Sequence, residues 1–360
     1  MTRNLRNLTL NKPLRTEWQY CNIMYTVASH LVETVSGERY ADFLKTKFWK
    51  PLQMSNTHHD FSGVHDDNAA GHLARGYVWK EETNSYDEVP MYDQPEGQGA
   101  GSIYSSVNDY AKWVRAMIKG TVPLSQDTQK ELVKPRAITT PDDDDDLLPF
   151  FSHALYALGW IVENYRGHRV IGHDGSMTGF KSTMKYLPDK NWGVVIFGNS
   201  DGCDDAMEVL AMHLVDDILN VPVSERVDWP DFQRERDANY KAKGNDNPDL
   251  PTRPENPLPM SVPLEKFAGK YHNTGYHDLI LEVKDSQLQA DCMDRCFGFQ
   301  LFWEHISGDV FVVEKQDMLD GTRSRFRTEF KFNEEGRAIA VGVEFVEEMK
   351  DYLVWFNRVE

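Results

Sequence analysis

The residues of this 360-residue chain whose types and spacing could do acid–base or nucleophilic work lie in a few short stretches. Tyr20-Cys21-Asn22 stands directly before an amphipathic segment, and His173-Asp174-Gly175-Ser176 closes an apolar one. A phenol and an imidazole both move protons when suitably placed. Taken singly, each reads as structural: Tyr20 as a buried tyrosine at a helix start, His173 as a satisfied core histidine. The run from Glu96 to Ser102 carries Gly97, Gly99 and Gly101, whose backbone freedom suits the wall of a pocket, although a plain turn would use them equally well. Ser182-Thr183-Met184-Lys185 pairs a hydroxyl with an amine. It falls in a strand pattern, where residues three apart face opposite sides of a sheet, so Lys185 cannot serve Ser182. Cys292 and Cys296 are spaced as half of a metal site, but no second Cys or His pair at ligand spacing accompanies them. The consecutive carboxylates Asp142 to Asp146 lack the glycine of a calcium loop and read as a solvated segment.

The elements that must position these groups follow from periodicity. Ile23, Val27, Ala28, Leu31, Val32 and Val35 recur at helical spacing, and Gly37 follows as a stop. A second helix starts at Ser106, a capping hydroxyl with Asp109 as its reciprocal partner, and buries Val107, Tyr110, Ala111, Val114, Met117 and Ile118. Strands are expected at Leu158 to Val162, Arg169 to His173, Phe180 to Leu187 and Trp192 to Phe197. Pro188 to Asn191 would turn the last two into a hairpin. A helix with Met207, Leu210, Ala211, Leu214 and Ile218 on one face ends near Asn220. Helices on both sides of an antiparallel meander predict an α/β (α+β) sandwich. Glu225 to Val262 is rich in Pro, Asn, Asp and Arg and reads as a linker with one short helix near Pro230 to Lys241. Beyond it, Asp309 to Val313, Arg325 to Phe332, Ala338 to Val346 and Asp351 to Phe356 alternate with period two, the pattern of a small all-β barrel or sandwich. The expected division is 1–224, 225–262 and 263–360.

Composition narrows the function. Lys plus Arg number 39 against 57 Asp plus Glu, a net charge of −18. That balance argues against nucleic-acid binding and against attraction to anionic lipid. No apolar run approaches the roughly 18 residues of a membrane span. Met1 to Arg15 holds charges and no signal-like apolar core, and Cys21, Cys203, Cys292 and Cys296 read as free thiols, so a cytoplasmic setting is expected.

Together and in this order, the motifs resemble the serine β-lactamase-related, penicillin-binding-protein-like hydrolases from about Gln19 to Asn220. The stretches that carry the resemblance are Tyr20 to Tyr25 with the helix to Gly37, Phe48-Trp-Lys-Pro-Leu-Gln-Met54, Gly99 to Ser106 with Asp109, and Leu158-Gly-Trp160. They continue through His173-Asp-Gly175, Gly179-Phe180, Pro188 and Asn199. The tail from about Lys266 is similar to the lipocalin-like β-domain that often follows such a domain. The resemblance implies a serine hydrolase or acyltransferase with no cofactor. Tyr20 would shuttle the proton, Asn22 would contact substrate, and His173 and Gly175 would bind its polar end, with the Ser176 N–H as one oxyanion donor.

The family's Ser-x-x-Lys nucleophile lies well upstream of the tyrosine motif, and the 19 residues before Tyr20 contain no serine. The chain therefore reads as a family member lacking its N-terminal part and inactive alone, with apolar surface around Ile23 and Val27 left for a partner or missing segment to cover. Asp174 places a negative charge beside the site, which favours a neutral ester, amide or small peptide over an anionic substrate. The rival reading is a non-catalytic remnant that binds a small molecule or protein through the surviving cleft. A third treats the β-domain as an independent binder of lipid or another small molecule. An oligomer is compatible with all of them.

Overall fold

A computed structural model describes residues 2–66, 70–81, 83–91, 93–139, 147–243, 250–345 and 352–359; the Asp142 to Asp146 run lies outside them. The chain divides into two compact units, Leu14–Asn239 and a second made of Met1–Pro13 with Tyr240–Glu360.

The first unit opens with α1 (Asn22–Ser36), α2 (Tyr40–Leu44), β1 (Thr57–His59) and α3 (Asp60–Asp66). A hairpin of β2 (Gly76–Lys80) and β3 (Ser85–Val89) and the short β4 (Ile103–Ser105) lead to α4 (Val107–Lys119) and α5 (Gln126–Leu132). Then come β5 (Ala137–Ile138), β6 (Leu155–Tyr156), β7 (Ile161–Tyr165), β8 (His168–Met177), β9 (Phe180–Leu187) and β10 (Trp192–Gly198), followed by α6 (Asp204–Leu219) and α7 (Trp229–Lys243). Strands β5 to β10 form one six-stranded antiparallel meander in chain order.

Both faces of this sheet are covered. Ile171, Met184 and Tyr186 pack with Val114 of α4 and Trp160, while Val170, Leu187 and Tyr165 pack with Met212 and Val215 of α6 and Trp229 of α7. Neighbouring residues of one strand thus enter different cores: Val170 and Ile171 on β8, and Tyr186 and Leu187 on β9. The expected hairpin is present, with Asn191 left-handed at φ 50° in the Pro188–Lys190 turn before β10. The strand expected from Leu158 instead begins at Ile161. Gly159 adopts φ 77°, and Ala157 N–H donates to the Trp160 carbonyl at 2.8 Å, so Leu158 to Trp160 make the turn between β6 and β7.

Helix α1 ends as expected at Gly37, left-handed at φ 72°, whose N–H returns to the Glu33 carbonyl. Its facing differs from the expectation, because the buried residues are Thr26 and Ser29, whereas Leu31 is 60% and Val35 79% exposed. Ser106 caps α4 by accepting from Asp109 N–H at 3.2 Å, but the return half of the expected box is not formed. The Ser106 N–H is taken by the Asn56 carbonyl, and the buried Asp109 carboxylate accepts from Asn56 N–H at 2.6 Å and from Lys112 at 2.7 Å, tying the approach to β1 onto α4. Val107 is exposed. On α6 the expected Met207 and Ala211 are buried and Leu214 and Ile218 half-buried, but Leu210 is exposed and Met212, Val215 and Asp216 join the buried face. Asp216 turns it inward by accepting from Tyr165 Oη at 2.7 Å and Trp229 Nε1 at 3.4 Å.

The second unit is a closed eight-stranded barrel of β11 (Gly269–Asn273), β12 (His277–Lys284), β13 (Gln287–Cys292), β14 (Phe299–Ser307), β15 (Val310–Asp317), β16 (Arg323–Phe332), β17 (Ala338–Val343) and β18 (Val354–Arg358). Closure of β18 onto β11 removes both sheet edges. Of the strands expected here, Val346 and Asp351 lie outside the described residues. Alternation sends Leu279, Leu281, Leu288, Leu301, Trp303 and Phe311 inward. Phe267 sits among Phe311, Phe330 and Phe332 with ring centroids 4.9 to 5.2 Å apart. Eight strands leave an interior just wide enough for side chains to fill. These aromatics pack together in the barrel core. Asn4 of the N-terminal segment donates to the Gly275 carbonyl on this unit at 2.7 Å. Cys292 belongs to the barrel core, where burial pushes its thiol up to about 11.

One carboxylate pair has a measurable pH signature. Burial, and then a hydrogen bond and repulsion from Asp237 of α7, push Asp205 of α6 up to about 6 from 3.8. A raised carboxylate makes the folded state bind more protons, so stability falls as pH rises through this window, and the loss is complete above it. Asp205→Asn should therefore raise the urea midpoint more at pH 7.5 than at pH 4; an equal effect at both would show that the pair does not titrate there.

Candidate active site

Tyr20 precedes α1 and is 48% exposed, not the buried tyrosine that its position alone suggests. Cys21 takes the extended N-cap conformation and Asn22 is the first helical residue, so the Tyr20-x-Asn22 pair stands at the mouth of the helix. His173 lies on β8, more than 150 residues along the chain. The fold brings its ring within 6.0 Å of Tyr20, centroid to centroid. Gly175 follows two residues later on the same face of β8, while Ser176 faces the other way. A Cβ at Gly175 would meet Ser182 Oγ, the rotatable end of its cross-strand neighbour, at 2.5 Å. Ser176 Oγ accepts from Lys181 Nζ at 2.9 Å.

Two tyrosines without an assigned role in the motifs complete the cluster. Tyr25, on the first turns of α1, and Tyr156, on β6, bring their hydroxyls to 2.6 Å, and Tyr156 Oη lies 3.1 Å from His173 Nε2. Trp18 packs on Tyr156 with centroids 5.2 Å apart. Desolvation raises the phenol of Tyr20, with Tyr25 adding to it. Tyr156 is raised further, by burial first and then by its bond to Tyr25. Both are phenols, not phenolates, at neutral pH. The sequence signal for Tyr25 was its place in the Tyr20 to Tyr25 stretch. Tyr156 had only its position before the Leu158-Gly-Trp160 turn.

The glycine-rich run forms a wall by close backbone approach. A Cβ at Gly99 would collide with the Tyr25 carbonyl, one at Gly101 would come 3.3 Å from Met177 Sδ at the end of β8, and Thr26 Oγ1 donates to the Glu96 carbonyl at 2.9 Å. This run thus clamps α1 beside β8.

Ser182 and Lys185 part as expected. Ser182 faces Gly175, whereas Lys185 Nζ ion-pairs with Glu208 of α6 at 3.1 Å. Burial acts to lower the Lys185 ammonium, but Glu208, Asp174 and Glu163 outweigh it and its pKa is raised, so it stays charged and cannot act as a base.

The profile of the Beta-lactamase family matches residues 1–216, and that of a domain of unknown function (DUF3471) matches residues 253–358. The chain belongs to the β-lactamase family of serine hydrolases, the class that includes the penicillin-binding-protein-like enzymes. It is 29% identical over 364 aligned residues, 99% of its length, to Unguisins hydrolase ungD' of Aspergillus campestris. It is 33% identical over 389, covering all of the chain, to Unguisins hydrolase ungD of Aspergillus violaceofuscus. The chain spans 66% of the length of each of these relatives. Among solved structures, the octameric penicillin-binding protein homologue from Pyrococcus abyssi shares the fold, with a TM-score of 0.51 at 21% identity over 95% of this chain and 65% of that one.

Gly99→Ala should cost about 1–3 kcal/mol in urea unfolding, because the new methyl meets backbone that cannot swing away. Gly71→Ala, where a Cβ meets nothing within 4 Å, should stay within about 0.5 kcal/mol. Equal effects would mean that the Gly99 approach does not clamp α1.

Proposed function

We propose that the Leu14–Asn239 unit supplies the proton-transfer and substrate-binding half of an acyl-transfer site for a neutral ester, amide or small peptide, with the serine nucleophile coming from outside these 360 residues. The observation that carries this reading is the convergence of Tyr20, just before α1, and His173, on β8, whose rings lie 6.0 Å apart. In the proposed mechanism a serine attacks the acyl carbon, Tyr20 relays the serine's proton to the leaving group, Asn22 contacts substrate, the strand carrying His173 and Gly175 binds its polar end, and the Ser176 N–H donates to the developing oxyanion. Two curated relatives are named as hydrolases of unguisins, which supports hydrolysis as the reaction class. The separation of Ser182 from Lys185, held by Glu208, supports an external nucleophile. So does α1: Leu31 and Val35 lie one helical turn apart on an uncovered apolar stripe with Met24, as a helix does when another element packs on it.

That exposed stripe equally favours the second reading, a non-catalytic chain that holds a ligand or protein at this cleft. One experiment separates the two. The 360-residue chain should neither hydrolyse a p-nitrophenyl ester nor capture a fluorophosphonate probe. A chain extended by the Ser-x-x-Lys-bearing segment of a family relative should do both, and Tyr20→Phe in it should lower kcat by about 10²–10⁴. Turnover and labelling by the 360 residues alone would overturn the external nucleophile. Inactivity of the extended, folded chain would favour the non-catalytic reading.

A further inference from the structure

We propose that the Asp174 carbonyl holds His173 as its Nδ1–H tautomer, and that this imposes one direction on a hydrogen-bond chain running from Tyr25 to Tyr156 to His173. The direction follows from donor and acceptor chemistry alone. His173 Nδ1 lies 2.7 Å from the Asp174 carbonyl oxygen, which can only accept, so Nδ1 carries the hydrogen. In a neutral imidazole the other nitrogen is then a lone-pair acceptor. Tyr156 Oη, 3.1 Å from Nε2, must donate to it. Having used its single hydrogen, Tyr156 Oη can only accept from Tyr25 Oη at 2.6 Å. Each of the three contacts therefore has one allowed direction, and the chain ends with Tyr25 as a hydroxyl whose lone pair faces outward.

This arrangement changes what His173 does in the site. Both of its nitrogens are occupied by the protein, so the neutral ring offers substrate no N–H, and the polar group free to act is at the far end of the chain. Tyr25 and Tyr20 are ring neighbours at 6.2 Å, which makes Tyr20 the titratable group next to that end. When His173 takes up a proton, both nitrogens donate. Tyr156 must then accept from Nε2 and turn its hydrogen to Tyr25, and Tyr25 turns its own hydrogen outward. No atom is gained or lost beyond the proton on His173, yet the Tyr25 end of the chain changes from acceptor to donor. The groups facing His173 are the phenols of Tyr20 and Tyr156, each with its ring centroid 6.0 Å away, and the Asp174 carbonyl. The Asp174 carboxylate acts instead on Lys185 and Tyr110. The bearing of this chain on catalysis rests on the hydrolase reading above, whereas the tautomer does not.

Long-range ¹H–¹⁵N correlation spectra of the intact ¹⁵N-labelled chain test it without any turnover. The His173 signal among the 12 histidines is identified by its loss in His173→Gln. The wild-type chain with neutral His173 should show a protonated Nδ1 and an Nε2 without hydrogen. Tyr156→Phe should keep the Nδ1–H form but move the Nε2 resonance downfield as that nitrogen loses its donor, and Tyr25→Phe, which removes only the outer donor, should leave the Nδ1–H form in place. A wild-type Nε2–H signal overturns the proposal by itself, even if no variant folds. So does an unchanged His173 in folded Tyr156→Phe, or a switch to Nε2–H in Tyr25→Phe. Failure of the extended chain to hydrolyse esters would leave these spectra unaffected, so the two readings fail separately.

Discussion

Strand β8 is buried on both faces, and the candidate site depends on that. Val170 packs toward α6 and α7, and the next residue, Ile171, packs toward α4, so two independent cores read the register of one strand. A slip of one residue would exchange every side chain between faces and bring Arg169 or Gly172 to one of the two core positions. With the register held, His173 and Gly175 stand on the face of Ile171, where β6 brings Tyr156 and α1 brings Tyr25. The site's geometry is thus a by-product of packing several residues away from it.

The glycine-rich run acts on the other wall. Gly99 lets its backbone lie against the Tyr25 carbonyl, and Gly101 reaches the Met177 end of β8. These contacts hold the start of α1 against the strand that carries His173, and a 2.6 Å hydrogen bond between hydroxyls requires such constraint, because small displacements weaken it steeply. The opposite side of the sheet carries charge in place of chemistry. Lys185 is neutralised by Glu208 with help from Glu163 and Asp174, a buried arrangement that holds β9 to α6 and removes the only literal Ser-x-x-Lys pair from consideration.

Much of the fold was legible in local pattern. The stops at Gly37 and Asn220, the Ser106 cap, the Pro188 to Asn191 turn and the alternation of the tail are short-range signals, each set by the backbone preferences of a few residues. The misreadings have two causes. The burial of Asp216 turned Leu210 of α6 outward, the Asn56 carbonyl took the N–H that a full capping box would use, and Gly159 shifted the start of β7. In the first two cases a distant partner decided the outcome. In the third, the glycine was in view but its left-handed turn was not assigned.

By itself, the sequence determined the order of elements, the family, and Tyr20, Asn22, His173, Gly175 and Ser176 as the candidate residues, because motif spacing and periodicity are properties of neighbouring positions. Only the tertiary structure decided that the α1 stripe faces outward, that aromatic side chains pack together in the barrel core, and that Tyr25 and Tyr156 join His173 in a chain of fixed direction. Those outcomes depend on which groups meet across more than a hundred residues. Hydrogen-bond direction in particular is set by the partner at the end of the line, here a backbone carbonyl that can only accept.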